Sequence, residues 1–108
     1  MGADYTPREV ADQIAGGETQ LIDVREADEH AAGRIAGGRL IELSRLAAEV
    51  ASIDRDHPVI FYCRSGARSA MAAQALSRDG FDAHNMTGGL LEWAAAGLPL
   101  EPADGMVA

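Results

Sequence analysis

The chain has 108 residues, 47% of them apolar, and its formal net charge is −8 at pH 7. This length suffices for one domain with its own core, so we expect a single domain over residues 1–108, with its core at about 5–101 and a frayed tail at 102–108. The negative charge excludes a broad surface for nucleic acid or anionic lipid, because neutralising phosphates requires clustered Lys and Arg.

The cysteine and histidine content restricts the chemistry further. Cys63 is the only cysteine, which excludes an intrachain disulfide, a CxxC redox pair and a multi-cysteine zinc site. His30, His57 and His84 lack the spacing of metal ligands, so we expect no metal and no other cofactor. There is no long apolar run and no pattern of a secretory signal, so we expect a cytoplasmic protein that does not bind membranes. We also expect a monomer, although no sequence feature specifies the oligomeric state.

The first half of the chain alternates helical and extended patterns. Thr6-Pro7-Arg8-Glu9 has the pattern of a capping box with Pro at the first helical position, which predicts a helix that runs to Gly16-Gly17. The other elements predicted in this half are a strand at 20–24, a short helix at 26–32, an extended segment at 39–43, and a helix capped by Ser44 that continues to about Ile53.

The second half contains the clearest strand. Val59-Ile60-Phe61-Tyr62 is a continuous β-branched and aromatic run that leads directly into Cys63. Residues 67–78 are rich in Ala, Met, Gln and Leu and predict a helix, followed by a strand at 83–86 and a last helix at 90–96. The alternation of strands and helices predicts an α/β domain with a largely parallel sheet covered on both faces.

The segment Cys63-Arg64-Ser65-Gly66-Ala67-Arg68-Ser69, called the Cys63 loop below, follows the carboxyl end of this strand, where open α/β sheets bind ligands. Backbone N–H groups ahead of a helix converge on a negative charge, and Gly66 permits the tight conformation. That charge can be the thiolate, since a helix N-terminus and nearby Arg64 and Arg68 would lower its pKa. The alternative is a structural cysteine buried in the apolar interior. This is disfavoured because the polar residues next to it in the loop would then be buried too, and each would need a hydrogen-bond partner. We therefore predict a reactive thiol.

Four blocks, in this order, make the sequence resemble the single-domain type of the rhodanese (sulfurtransferase) family. They are Leu21-Ile22-Asp23-Val24-Arg25-Glu26, the stretch from His30 to Gly38, the Cys63 loop, and Thr87-Gly88-Gly89 with Trp93, Gly97, Leu98 and Pro99. The resemblance implies a three-layer α/β/α domain with a central, mainly parallel sheet of about five strands flanked by helices. It also implies a thiosulfate-like sulfur donor and a thiol, cyanide or sulfur-carrier acceptor.

The resemblance further assigns roles to individual residues. Cys63 matches the cysteine that accepts sulfur as a persulfide, and the residues that match the persulfide-binding loop are Arg64, Ser65, Gly66, Ala67, Arg68 and Ser69. Asp23 and Arg25 match a block that fixes neighbouring loops by hydrogen bonds and ion pairs, a helix cap and a surface charge being the alternatives. Arg34 and Gly38 stand where many relatives have His and Ala, and we expect both to alter a loop near the site.

Two other functions stay open on the sequence alone. A cysteine phosphatase or arsenate reductase also places Cys and Arg around an oxyanion, but its signature has one residue more between them than the four that separate Cys63 from Arg68. A non-catalytic rhodanese-like module that binds or regulates a partner is the second alternative, because fold does not determine function. Retention of the cysteine and of both loop arginines favours catalysis over this second alternative.

Overall fold

The computed structural model describes residues 4–108. Its sheet has the strand order β2-β1-β3-β4, and all three pairings are parallel. The strands are β1 (Gln20–Asp23), β2 (Arg39–Leu40), β3 (Val59–Tyr62) and β4 (Ala83–Asn85), and the α-helices are α1 (Pro7–Ala15), α2 (Ala27–Ala32), α3 (Leu46–Glu49), α4 (Ala67–Arg78) and α5 (Gly89–Ala95). Over the same residues, no helix combines the length and apolar character needed to cross a bilayer.

Helices cover both faces of the sheet, so the predicted α/β class and three-layer arrangement are confirmed. Successive side chains of β3 point to opposite faces: Val59 and Phe61 pack with the apolar residues of α3 and α4, whereas Ile60 and Tyr62 pack with those of α1 and α5. All four side chains are buried, which explains the continuous apolar run in the sequence.

The sheet has four strands within residues 4–108, not the roughly five that the resemblance implied. A fifth segment contributes only one parallel bridge, between Tyr5 and Met86. It stops there because the next residue, Thr6, is the N-cap of α1, where its hydroxyl accepts a hydrogen bond of 3.2 Å from the Glu9 amide. The predicted capping box is thus confirmed, and it ends the edge segment.

The helix predicted from Ser44 to Ile53 is broken into shorter pieces. A 3-10 turn at Leu43–Arg45 precedes α3, and a second one at Val50–Ser52 follows it. Ser44 lies inside the first of these turns and is not an N-cap, and the N-cap residues Glu42 and Arg45 make no side-chain cap hydrogen bond. At the C-terminal end of this region, the Ile53 amide donates a backbone hydrogen bond to the Val50 carbonyl, three residues earlier, as in a 3-10 helix. Regular α-helix therefore covers only one turn.

Residues 102–108, predicted as a frayed tail, lie against the end of α2. The Met106 amide donates to the Ala32 carbonyl at 3.0 Å, and Val107 packs against the apolar cluster on the α1 and α5 side of the sheet. Glu101, just before this segment, forms an antiparallel bridge with Arg34 through two backbone hydrogen bonds. These contacts hold the tail against the end of α2, because backbone groups there are left without helical partners.

Candidate active site

The sulfur of Cys63 lies inside a ring of donors formed by its own loop. Sγ accepts a hydrogen bond from the Gly66 amide at 3.0 Å and one from the Ser69 hydroxyl at 3.3 Å. Only 1% of Cys63 is exposed, and Gly66 and Ser69 are buried as well. The loop begins where β3 ends and leads into the first turn of α4, so the thiol sits at the positive end of the helix.

Two helix N-termini shape this loop. Gly66 adopts a left-handed conformation with φ of 101°, which turns its amide toward the sulfur at the start of α4. At the start of α5, the amides of Leu90 and Leu91 donate to the carbonyl oxygens of Cys63 and Arg64 at 2.8 and 3.0 Å. Because these carbonyls are bound on the outside of the loop, its N–H groups are free to face the sulfur.

Gly89 makes that approach possible. A Cβ atom at residue 89 would stand 2.5 Å from the Arg64 carbonyl oxygen and 2.7 Å from that of Cys63, and its φ of 60° also favours glycine. The Thr87-Gly88-Gly89 motif therefore allows α5 to begin in van der Waals contact with the backbone of residues 63 and 64 of the Cys63 loop.

The surroundings of Cys63 act on its pKa in opposite directions, and the net result is a lowered pKa. Burial raises it by disfavouring the charged thiolate. Hydrogen bonds from the Ser69 hydroxyl and from the amides of Ser69, Gly66 and Ser65 lower it, and together they outweigh burial. The thiol thus carries a larger thiolate fraction at neutral pH than an ordinary cysteine.

The two loop arginines make their hydrogen bonds away from the sulfur. The exposed Arg64 side chain donates from Nε to the backbone oxygen of Ala108 at 3.1 Å. The Arg68 guanidinium forms a bidentate pair with Glu29 of α2, at 2.8 and 3.0 Å. The bonds to Arg68 are the main cause that lowers the pKa of Glu29 to about 2. The hydrogen-bond donors at the sulfur are the Gly66 amide and the Ser69 hydroxyl, not the guanidinium groups.

Asp23 and Arg25 form a fully buried ion pair at the end of β1, beside the Cys63 loop. Arg25 donates from Nε to Oδ1 of Asp23 at 2.9 Å and from Nη2 to Oδ2 at 2.7 Å. Its Nη2 also donates to the Gly33 carbonyl at 2.7 Å, and His30 Nδ1 lies 2.9 Å from Asp23 Oδ2. The pair therefore ties β1 to both α2 and the turn that follows it, and neither residue is the surface charge that was left open.

The two departures from the family pattern lie in this neighbouring turn. Arg34 donates to the His30 carbonyl at 3.3 Å and pairs with Glu101 at 3.6 Å. A Cβ at Gly38 would stand 3.2 Å from the Tyr62 hydroxyl oxygen, which accepts a hydrogen bond from the Ile35 amide. Both residues thus shape the segment that follows α2, next to the buried pair.

Three features of the site escaped sequence analysis. Glu29 pairs with Arg68 across 39 positions, and the backbone amides of residues 90 and 91 bind the loop from the outside. Asn85, buried at the end of β4, donates to the Gly66 carbonyl at 3.3 Å. The sequence did contain one signal for Glu29: it lies three residues after Glu26, which is the spacing of a capping box. In the structure, the Glu26 amide donates to the Glu29 carboxylate.

Within residues 4–108, no three His, Cys, Asp or Glu side chains are grouped so as to hold a metal ion. The nucleophilic candidate of the site is a thiol held by hydrogen bonds, without a second cysteine in the sequence to resolve a covalent intermediate.

Several known proteins resemble this chain in sequence or in fold. The chain is 43% identical over 77 residues to the uncharacterized protein YqhL of Bacillus subtilis, covering 70% of this chain and 61% of YqhL. It is 33% identical to the thiosulfate sulfurtransferase GlpE of Actinobacillus succinogenes, with 95% of this chain and 94% of that protein covered. The crystal structure of a rhodanese-related protein from Thermoplasma volcanium superposes with a TM-score of 0.85 at 28% identity, covering 91% of this chain and 96% of the other.

Some curated relatives are longer, and the chain spans only 61%, 43% and 25% of the length of three of them. The family model of the rhodanese-like domain matches residues 6–96, which include β1, the Cys63 loop and the first helical turns of both α4 and α5. The chain therefore belongs to the rhodanese-like domain family.

Proposed function

We propose that the chain is a single-domain thiosulfate sulfurtransferase that carries sulfane sulfur as a persulfide on Cys63. The observation that carries this proposal is the ring of donors around Sγ, from the Gly66 amide and the Ser69 hydroxyl. Such a ring stabilises a negatively charged sulfur without needing a metal or a second thiol. The name of the relative from Actinobacillus succinogenes supports the same substrate class.

The proposed first step is a displacement at sulfur. The Cys63 thiolate attacks the outer sulfur of thiosulfate, a bond forms between the two sulfur atoms, and the sulfur–sulfur bond of thiosulfate breaks. Sulfite leaves with the electron pair. Residues 65, 66 and 69, whose N–H groups lower the pKa of the thiol, would then stabilise the persulfide anion in the same ring.

The second step needs an external nucleophile, because Cys63 is the only cysteine of the sequence. A thiolate of a small molecule or of a sulfur-carrier protein, or cyanide, attacks the outer sulfur of the persulfide, and the Cys63 thiolate leaves. We place this cycle in a cytoplasmic monomer that acts on a small anionic donor and needs neither nucleic acid, nor membrane, nor cofactor.

A phosphatase or arsenate reductase is disfavoured by the state of Arg68. A phosphatase uses the arginine of its cysteine loop to clamp the oxyanion, but both terminal nitrogens of Arg68 donate to Glu29. A non-catalytic binding module has no specific contact in its favour, whereas the lowered pKa of Cys63 suits a nucleophile.

The proposal is tested by thiocyanate formation from thiosulfate and cyanide, with aryl-phosphate hydrolysis measured in parallel. We expect ping-pong kinetics for the wild-type protein, no thiocyanate above background for Cys63→Ala, and no phosphate release from either. Thiocyanate formation that is undiminished in Cys63→Ala would refute the persulfide mechanism. Phosphate release that depends on Cys63 would favour the phosphatase instead.

A further inference from the structure

The ion pair between Glu29 and Arg68 is held firmly at both ends. Arg68 lies in the first turn of α4 and uses Nη1 and Nη2 to bind the two carboxylate oxygens of Glu29. Oε1 of Glu29 also accepts the Glu26 amide at 3.0 Å, which fixes the carboxylate at the start of α2. Exposed fractions of 34% for the Arg68 side chain and 16% for that of Glu29 leave the pair partly shielded from water. Bidentate geometry of this kind restricts the guanidinium to one orientation.

Arg68 interacts with the sulfur of Cys63 as well as with Glu29. The charge of Cys63 is one of the causes that raise the pKa of Arg68, so the guanidinium interacts with the sulfur electrostatically, although its bonds go to Glu29. Arg25, the next guanidinium along the same sheet edge, is likewise neutralised by Asp23. The third arginine, Arg64, donates from Nε to the backbone oxygen of Ala108.

We infer that Glu29 is a positioning residue that holds Arg68 away from the incoming donor and so sets the donor selectivity of Cys63. A doubly charged donor such as thiosulfate gains less from a neutral pair than from a free guanidinium, whereas a donor with at most one charge loses little. The pair thus reduces the advantage that a doubly charged oxyanion donor has over sulfur carried by a thiol, such as an alkyl persulfide. This inference rests on the proposed function and refines its substrate class.

The step with an alkyl persulfide has the same form as the one with thiosulfate. The Cys63 thiolate attacks the outer sulfur of the alkyl persulfide, and this sulfur keeps its proton when it is transferred to Cys63. The sulfur–sulfur bond of the donor breaks, and the alkyl thiolate leaves with the electron pair. No oxidant or reductant is consumed, because the outer sulfur only changes its partner.

The test removes the charge of Glu29 while keeping its shape. Glu29→Gln retains an oxygen that can accept the Glu26 amide, so the cap of α2 persists. We expect the KM for thiosulfate to fall by about threefold to tenfold, with a smaller change in kcat and little change in KM for an alkyl persulfide. The matched control is Asp79→Asn, which removes a carboxylate from the exposed pair with Arg55 and should leave all three values unchanged.

A second measurement does not depend on sulfur transfer. The ratio of the rate constants with which iodoacetate and iodoacetamide alkylate Cys63 reports the local potential, since the two reagents differ mainly in charge. We expect this ratio to rise by about threefold to tenfold in Glu29→Gln, to fall in Arg68→Gln, and to return to the wild-type value when both changes are combined. Should Glu29→Gln fail to fold, the fall in Arg68→Gln remains as the test.

The outcomes separate the inference from the proposed function. A ratio and a thiosulfate KM that stay at wild-type values in Glu29→Gln would overturn the inference, and so would equal changes in KM for both donors. A wild-type protein that takes up no sulfur would overturn the proposed function, while the alkylation ratio would still decide whether Glu29 controls the charge at Cys63.

Discussion

The Leu90 amide donates a hydrogen bond of 2.8 Å to the carbonyl oxygen of Cys63. This bond joins the first turn of α5 to the residue whose sulfur is bound, on its other side, by the amide of Gly66. The backbone of the cysteine is thus held from outside the loop, and its side chain from inside. The site depends on the close approach of two helix N-termini as much as on the residues of the loop itself.

Replacing Gly89 by Ala should disturb this approach. The added Cβ would meet the Arg64 carbonyl oxygen at 2.5 Å in a backbone conformation that favours glycine, so we expect the free energy of unfolding to fall by about 2 to 4 kcal/mol. Gly37→Ala is the control, because its φ is 83° but nothing lies within 4 Å, and it should cost only about 1 kcal/mol. Urea unfolding measures both, and equal costs would contradict the steric argument.

Removing the Ser69 hydroxyl should raise the pKa of Cys63, since that hydroxyl stabilises the thiolate. The alkylation rate rises as pH rises through this pKa, so the profile of Ser69→Ala should move to higher pH and its rate at neutral pH should fall about fivefold. Ser65→Ala provides the control, because residue 65 acts on the thiol through its backbone amide. A wild-type profile in Ser69→Ala would exclude the hydroxyl as a donor.

The buried pair of Asp23 and Arg25 should be costly to break. Asp23→Asn leaves a guanidinium without its counter-charge at a position with no solvent exposure, and we expect a loss of about 3 to 5 kcal/mol in the free energy of unfolding. Asp79→Asn removes a comparable carboxylate from an exposed pair and should cost less than about 1 kcal/mol. Chemical denaturation of both variants tests the difference, and similar losses would argue against the role of burial.

The stability contributed by Glu29 should depend on pH in a defined direction. Its pKa is lowered from 4.5 to about 2 in the folded state, so the unfolded chain takes up the proton first as pH falls. The stabilisation is therefore fully present above 4.5 and is lost as pH falls to about 2. Because Arg68 is partly exposed and water screens the pair, we expect the free energy of unfolding of the wild type to exceed that of Glu29→Gln by only about 1 kcal/mol at neutral pH.

Urea unfolding of both proteins across this acidic range measures the effect. The gap between them should close as the carboxylate of Glu29 becomes protonated in the folded state. A gap that is the same at neutral and at strongly acidic pH would mean that the pair with Arg68 contributes no charge-dependent stability.

Much of the fold could be predicted because local patterns and burial agree. The capping box at Thr6 and the apolar run at Val59–Tyr62 each specify an element through neighbouring residues, and the structure contains both. The Cys63 sulfur and its hydrogen-bond donors lie within six positions of one another, so the sequence of the loop was enough to predict that its N–H groups surround a negative charge.

The remaining features depend on contacts between distant residues. Glu29 lies on a short helix whose sequence is typical of a solvated face, and only the folded chain brings it to Arg68. The number of strands was overestimated because the Tyr5 segment is cut short by the adjoining helix cap, a competition between two local preferences. The role of Gly89 required knowing that α5 begins against the Cys63 carbonyl.

The most direct test of the persulfide is intact mass spectrometry of the protein after incubation with thiosulfate and removal of excess reagent. We predict that the wild-type protein gains the mass of one sulfur atom, that cyanide removes this mass, and that Cys63→Ala gains none. A wild-type protein of unchanged mass, or an equal gain in Cys63→Ala, would contradict the central claim that Cys63 carries the transferred sulfur.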